Sequence, residues 1–350
     1  MAIYNSDSVS HELASRGWDP ILALLLLSLP KIESFAMYGL IRNNWKLRPQ
    51  FLSSILKRAA DLQRESIQSP LALNNLESYS ISGPRNSSGI PEICGFQKLN
   101  SIRKIRIRGI IRFFRDHAWM LVESRAVELE LVSIRLGFAN MVDLVRCFPR
   151  LERFTWEHHT LPLSQMLPVL SVVKGTIRHL VLSAPLQRNV PYFPISTLFQ
   201  VYPPQVIPTA FNQNIIGANV AQNPINWFPT IDSQGLGSLL DFTNLEQLDT
   251  TISVLTGDHG LAPPFRTHRL CNILPPSLKH LTLRRCAVYD SMDDLKEMAA
   301  VGLQTLPNLK EICVFFSGSP NELLRSAWWN TLTAKFIAKG VVLTAGLDAN

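Results

Sequence analysis

One short phrase constrains this chain more than any other feature, and Pro275 to Cys286 states it most completely: Pro-Pro-Ser-Leu-Lys-His-Leu-Thr-Leu-Arg-Arg-Cys. Leu278, Leu281, Leu283 and Cys286 stand in the pattern L-x-x-L-x-L-x-x-C. Leu281 and Leu283 alternate with polar residues, as in a strand with one buried face. Leu278 and Cys286 lie where the chain must bend. Such a unit is too small to bury its apolar side alone, so it requires neighbours of the same kind.

The neighbours are present. Aligned on the middle hydrophobic, nine copies fall at Phe35, Tyr79, Ile105, Leu129, Phe154, Leu180, Leu248, Leu281 and Ile312. The steps are 44, 26, 24, 25, 26, 68, 33 and 31 residues. The four central steps match the roughly 20–29 residues of a leucine-rich repeat. The step of 44 has room for a degenerate repeat, and the step of 68 requires an insertion, a lost repeat or both. The fold expected is α/β, a leucine-rich-repeat solenoid with a curved parallel β-sheet on the concave face and helices on the convex face. It is expected over residues 20–345, after an N-terminal segment of 1–19. An irregular insertion of about 184–230 carries prolines at 185, 191, 194, 203, 204, 208, 224 and 229, which remove ladder donors and stop helices.

Between the strands, periodic segments predict helices. Phe51, Leu52, Ile55, Leu56, Ala59 and Leu62 recur at helical spacing within 49–63. Further helices are expected near 139–148, 163–173, 265–274, 291–306 and 321–338, and a last short strand over 341–344. The very apolar run 21–29 is about half a membrane span and reads as a buried helix.

The phrase L-P-x-L-x-x-L-x-L occurs as Leu306-Pro307-Asn308-Leu309-Lys310-Glu311-Ile312-Cys313-Val314 and, with Phe first, from Phe148 to Trp156. With its variable unit lengths and the Cys at the strand end, it resembles the repeats of fungal F-box proteins. That resemblance implies a substrate-recognition subunit of a Skp–cullin–F-box ubiquitin ligase, with the substrate on the concave repeat face. It implies a Skp adaptor only if an F-box lies upstream, because a repeat-like unit is already under way by Pro20. The chain is then without an F-box of its own or a piece of a longer product.

The polar positions between the core leucines are the candidate binding residues. They are Arg103, Lys104, Arg106, Arg108, Glu128, Glu130, Arg153, His179, Asp249, His280 and Thr282. Register alone places Lys104, Glu128 and Arg153 in one row and Arg106 beside Glu130, so much of this charge should cancel locally. The partner expected is a protein on the concave face. The alternative is an RNA- or anion-binding repeat protein using the basic strand 103–108; the net charge of +7 mildly favours acidic partners or nucleic acid, but spread over 350 residues it reads first as a solvated surface.

Catalysis is not expected, and neither a cofactor nor a metal is called for. G-x-S-x-G, P-loop and G-x-G-x-x-G patterns are absent. His158-His159 has no third ligand at a metal-binding spacing. Five cysteines without a C-x-x-C suit a reducing compartment, cytoplasmic or nuclear. Cys286 and Cys313 read as buried repeat residues. Trp328-Trp329 reads as closing the C-terminal end of the core, with one ring facing outward.

Overall fold

A computed structural model describes residues 18–29, 31–38, 50–67, 69, 72–82, 93–109, 123–134, 136–157, 163–183, 235–256, 269–286, 290–316, 324 and 326–348. Ten strands form one all-parallel sheet: β1 (Ser34–Tyr38), β2 (Ser78–Ser82), β3 (Lys104–Arg108), β4 (Glu128–Val132), β5 (Arg153–Glu157), β6 (His179–Ser183), β7 (Gln247–Thr251), β8 (His280–Cys286), β9 (Glu311–Phe316) and β10 (Val342–Leu347). Their order across the sheet is their order in the chain, and the sheet does not close. Each strand is therefore one step of a linear, solenoid-like α/β stack.

The middle hydrophobics fall into register. Tyr79, Ile105, Leu129, Phe154, Leu180, Leu248, Leu281 and Ile312 pair in succession, with Phe35 beside Tyr79 and Leu343 beyond Ile312. All ten are buried and belong to one core. Two ambiguous intervals resolve here. β1 pairs directly with β2, and β6 directly with β7, so no strand stands between either pair in this sheet. The insertion expected over about 184–230 lies outside the described residues.

Two local devices repeat. The first is the turn that opens β2, β3, β5, β7, β8 and β9. In Leu73–Leu76, Leu99–Ile102, Phe148–Leu151, Phe242–Leu245, Pro275–Leu278 and Leu306–Leu309, the last amide donates to the first carbonyl at 3.0–3.4 Å. Both ends of each turn are buried. Pro149, Pro276 and Pro307 stand second in their turns, where the fixed φ of proline is already suitable. The second device is a shared acceptor. The carbonyl of Glu77 takes the N–H groups of Arg103 and Lys104, that of Arg103 takes Val127 and Glu128, and that of Glu152 takes Arg178 and His179. Across the long excursion, the Arg178 carbonyl takes Glu246 and Gln247. Every repeat is tied to the next at this end of the sheet.

Helices fill the spaces between strands: α1 (Trp18–Ser28), α2 (Gln50–Arg64), α3 (Ile93–Gln97), α4 (Phe138–Arg146), α5 (Leu163–Ser171), α6 (Ile252–Thr256), α7 (Leu270–Ile273), α8 (Asp290–Ala300) and α9 (Ala327–Ile337). α1 packs against α2, but Ile21, Leu24 and Leu25 remain exposed, so the apolar run is only half buried. Among the described residues, no helix is long and apolar enough to cross a membrane.

Several boundaries depart from the sequence reading. The helix expected over 291–306 stops at Ala300, and a 3-10 turn, Gly302–Gln304, follows. A Cβ at Gly302 would meet the Cys271 Cβ at 2.7 Å, so the chain approaches α7 where only glycine fits. The helix expected over 321–338 is interrupted: Leu324 is helical, but α9 begins afresh at Ala327 because Ser326 caps it, its hydroxyl accepting the Trp329 N–H at 3.2 Å. Trp329 is buried against Phe316, whereas Trp328 is partly exposed beneath Lys296, in line with one ring inward and one outward. The last strand is longer than expected and adds a tenth member to the sheet.

Candidate functional site

One face of the sheet carries the core. The polar positions between the core residues all lie on the other face. Register sets them in rows: Lys104, Glu128, Arg153, His179, Gln247, His280 and Glu311 form one. Arg106, Glu130, Thr155, Val181, Asp249, Thr282 and Cys313 form the next. Adjacent members of a row are separated by about 4.8 Å, the strand spacing.

The expected charge pairs exist. Lys104 Nζ reaches Glu128 Oε1 at 2.6 Å, and Arg106 reaches Glu130 Oε1 at 2.5 Å. The Glu130 side chain is only 10% exposed, so its charge is spent on Arg106. Arg108 and Arg153 are exposed on the same face. Arg103 departs from the expectation. It lies one residue before β3, where its carbonyl serves the shared-acceptor device, so it belongs to the strand starts and not to the rows. Period two cannot hold both Arg103 and Lys104 on one face.

The C-terminal half of the face is more tightly paired. His280 Nδ1 lies 3.2 Å from Glu311. Asp249 receives two parallel bonds from Arg284, Nε to Oδ1 at 2.6 Å and Nη2 to Oδ2 at 2.7 Å. The Arg284 guanidinium also lies 5.1 Å from the Phe315 ring centroid and 3.7 Å from Asp348. Asp249 is thus engaged within the sheet and is not a free carboxylate for a partner. Thr282 lies between these groups, half-buried.

Arg284 is set by an irregularity. The β8–β9 register slips between Leu283 and Cys286, with Arg285 at φ 52°. The extra residue lets Cys286 return to the core while Arg284 and Arg285 both reach Asp348. Phe315, Asp348 and the Arg284–Asp249 fork were not foreseen. Asp249 is opposite Thr282, so pairing by register alone misses a diagonal contact. We expect a double-mutant cycle on Asp249→Ala and Arg284→Ala to give about 1 kcal/mol of coupling in chemical unfolding, the upper range for partly exposed pairs. Arg284→Lys should not restore it, because an ammonium cannot make two parallel bonds.

The cysteines divide. Cys286 is fully buried as expected, but Cys313 is not a core residue. It lies between Ile312 and Val314, which face the core, so alternation turns it to the open face, where the Thr344 hydroxyl contacts its sulfur at 3.2 Å. Burial, with Asp143 and Glu123 adding, pushes the Cys147 thiol up to about 11. Burial likewise holds the thiols of Cys271 and Cys313 above their ordinary value. These groups are protonated at neutral pH, the inert form for nucleophilic chemistry. Burial, with the Arg153 charge adding, lowers the His179 pKa. His158 and His159 lie outside the described residues.

No protein-family model matches the chain, and no curated protein matches it.

Proposed function

We propose that this chain is a leucine-rich-repeat interaction scaffold that holds a protein partner on the open face of its sheet. The observation that carries this reading is the division of the sheet into two faces. One is filled by a continuous core, and over β3 to β9 the other presents rows of polar and charged side chains with a few apolar ones, Val181 and Phe315 among them. Strands lie about 4.8 Å apart, whereas packed helices need about 8–10 Å, so a stack of strand–helix units bends with its sheet inside. The open face is then the concave surface, suited to a folded partner or an extended segment. A binding role fits better than catalysis, because the titratable groups on this face are mostly spent on one another.

The resemblance to fungal F-box repeats makes substrate recognition in a Skp–cullin–F-box ligase the specific form of this proposal. Two experiments separate the layers. Photo-crosslinking side chains at Thr155, Val181 or Thr282 should capture protein partners, while the same groups at Lys57 or Lys335 on the helices should not. Equal capture from both faces would sink the scaffold reading. Affinity capture of the full-length product should recover Skp and cullin; their absence would remove the ligase link alone.

A further inference from the structure

The charge on the open face is uneven. Over β3 to β5 it holds Lys104, Arg106, Arg108 and Arg153 against the three carboxylates Glu128, Glu130 and Glu157, with Arg103 one residue before β3. Glu128 and Glu130 are already engaged by Lys104 and Arg106, and Glu157 stands in the row of Arg108, two strands away. Among the described residues, Arg103, Arg108 and Arg153 make no ion pair, and all three are exposed. The opposite half of the face has no such excess, since Asp249, Glu311 and Asp348 hold Arg284 and His280.

Register fixes the spacing of the free cations. Arg153 is two strands from Lys104 in the same row, and Arg108 lies four residues further along β3. Their backbones are therefore about 16 Å apart on a diagonal, the reach of about five residues of extended chain. Thr155 supplies a hydroxyl between them, and neutralised ion pairs form the floor.

We propose that β3 to β5 bind an extended, carboxylate-rich segment of a protein partner, with Arg108 and Arg153 engaging its acidic side chains. This rests on the scaffold reading above and adds the chemistry of the partner. A polypeptide fits better than RNA because the outward positions of β3 to β5 carry no aromatic ring on which a base could stack.

The test uses the full chain and labelled probes: a peptide of about eight glutamates, a lysine peptide of equal length and a short uridine RNA. The glutamate peptide should bind at low salt and weaken as salt rises. Arg108→Glu with Arg153→Glu should weaken it about tenfold or more. Lys57→Glu with Arg58→Glu, reversing two exposed charges on α2, should leave it unchanged. Arg108→Gln with Arg153→Gln should act in the same direction, which keeps the test decisive if the reversal variant does not fold. Absent glutamate binding, or equal loss from both charge-reversal pairs, overturns the proposal. So does RNA bound more tightly than the glutamate peptide with the same dependence on Arg108 and Arg153. If the peptide fails while crosslinks from Thr155 persist, the acidic partner is refuted and the scaffold stands.

Discussion

Tyr79→Ala should be among the most damaging single changes in the N-terminal third of the array, costing about 3–5 kcal/mol, the range for removing a large buried aromatic. Tyr79 is fully buried. Its ring stacks on Phe96 with centroids 3.9 Å apart, and Phe35 lies 5.6 Å from Phe96 and 6.3 Å from Tyr79. These three rings join β1, β2 and α3, so a cavity at Tyr79 loosens three elements at once. Packing here is close in other ways, since a Cβ at Gly95 would meet Leu56 Cδ1 on α2 at 2.7 Å. Because each unit touches mainly its neighbours, the damage should stay local. Hydrogen exchange should show amides of β1 to β3 losing protection while those of β7 to β9 keep theirs. Uniform loss of protection would mean that the stack unfolds as one unit. Tyr79→Phe, which keeps the ring, should recover most of the protection.

The fold was legible because alternation, turn and register all repeat. Once Leu281 and Leu283 are assigned to one face, the same phrase assigns Ile105, Ile107, Phe154 and Trp156, and all are buried. The row logic then yields contacts between residues more than twenty positions apart, including Lys104–Glu128 and Arg106–Glu130. Legibility stops where a contact leaves the row. The bulge at Arg285 changes which side chains reach Asp348, and a left-handed arginine has no marker in sequence, as a glycine there would. Cys313 shows a subtler limit. A cysteine can serve as a core residue or as a small polar one, so only its place between Ile312 and Val314 decides its face. Helix ends were similarly opaque: the close approach of Gly302 to Cys271 is tertiary, and Ser326 resembles any other serine until its neighbours are known.

Leu281 offers the complementary test, at the centre of the phrase that defines the chain. It is 1% exposed and lies in register between Leu248 and Ile312, both fully or nearly buried. Truncation to Ala should cost about 2–5 kcal/mol, a large part of the 5–15 kcal/mol that holds a typical domain together. Leu281→Asp is more severe, since a carboxylate placed there has no cation among its register neighbours and must stay protonated or force the strands apart. It should therefore abolish the cooperative thermal transition of β7 to β10. The contrasting change is one residue away. Thr282 faces the open side, half-buried opposite Asp249, so Thr282→Asp should cost only about 1 kcal/mol, from the like charge across the strand pair, and lower the melting temperature by a few degrees. A pair of neighbouring positions with opposite tolerance is what a one-sided sheet requires. If Thr282→Asp were as destructive as Leu281→Asp, the open face would be covered, and no partner could dock there without displacing the cover.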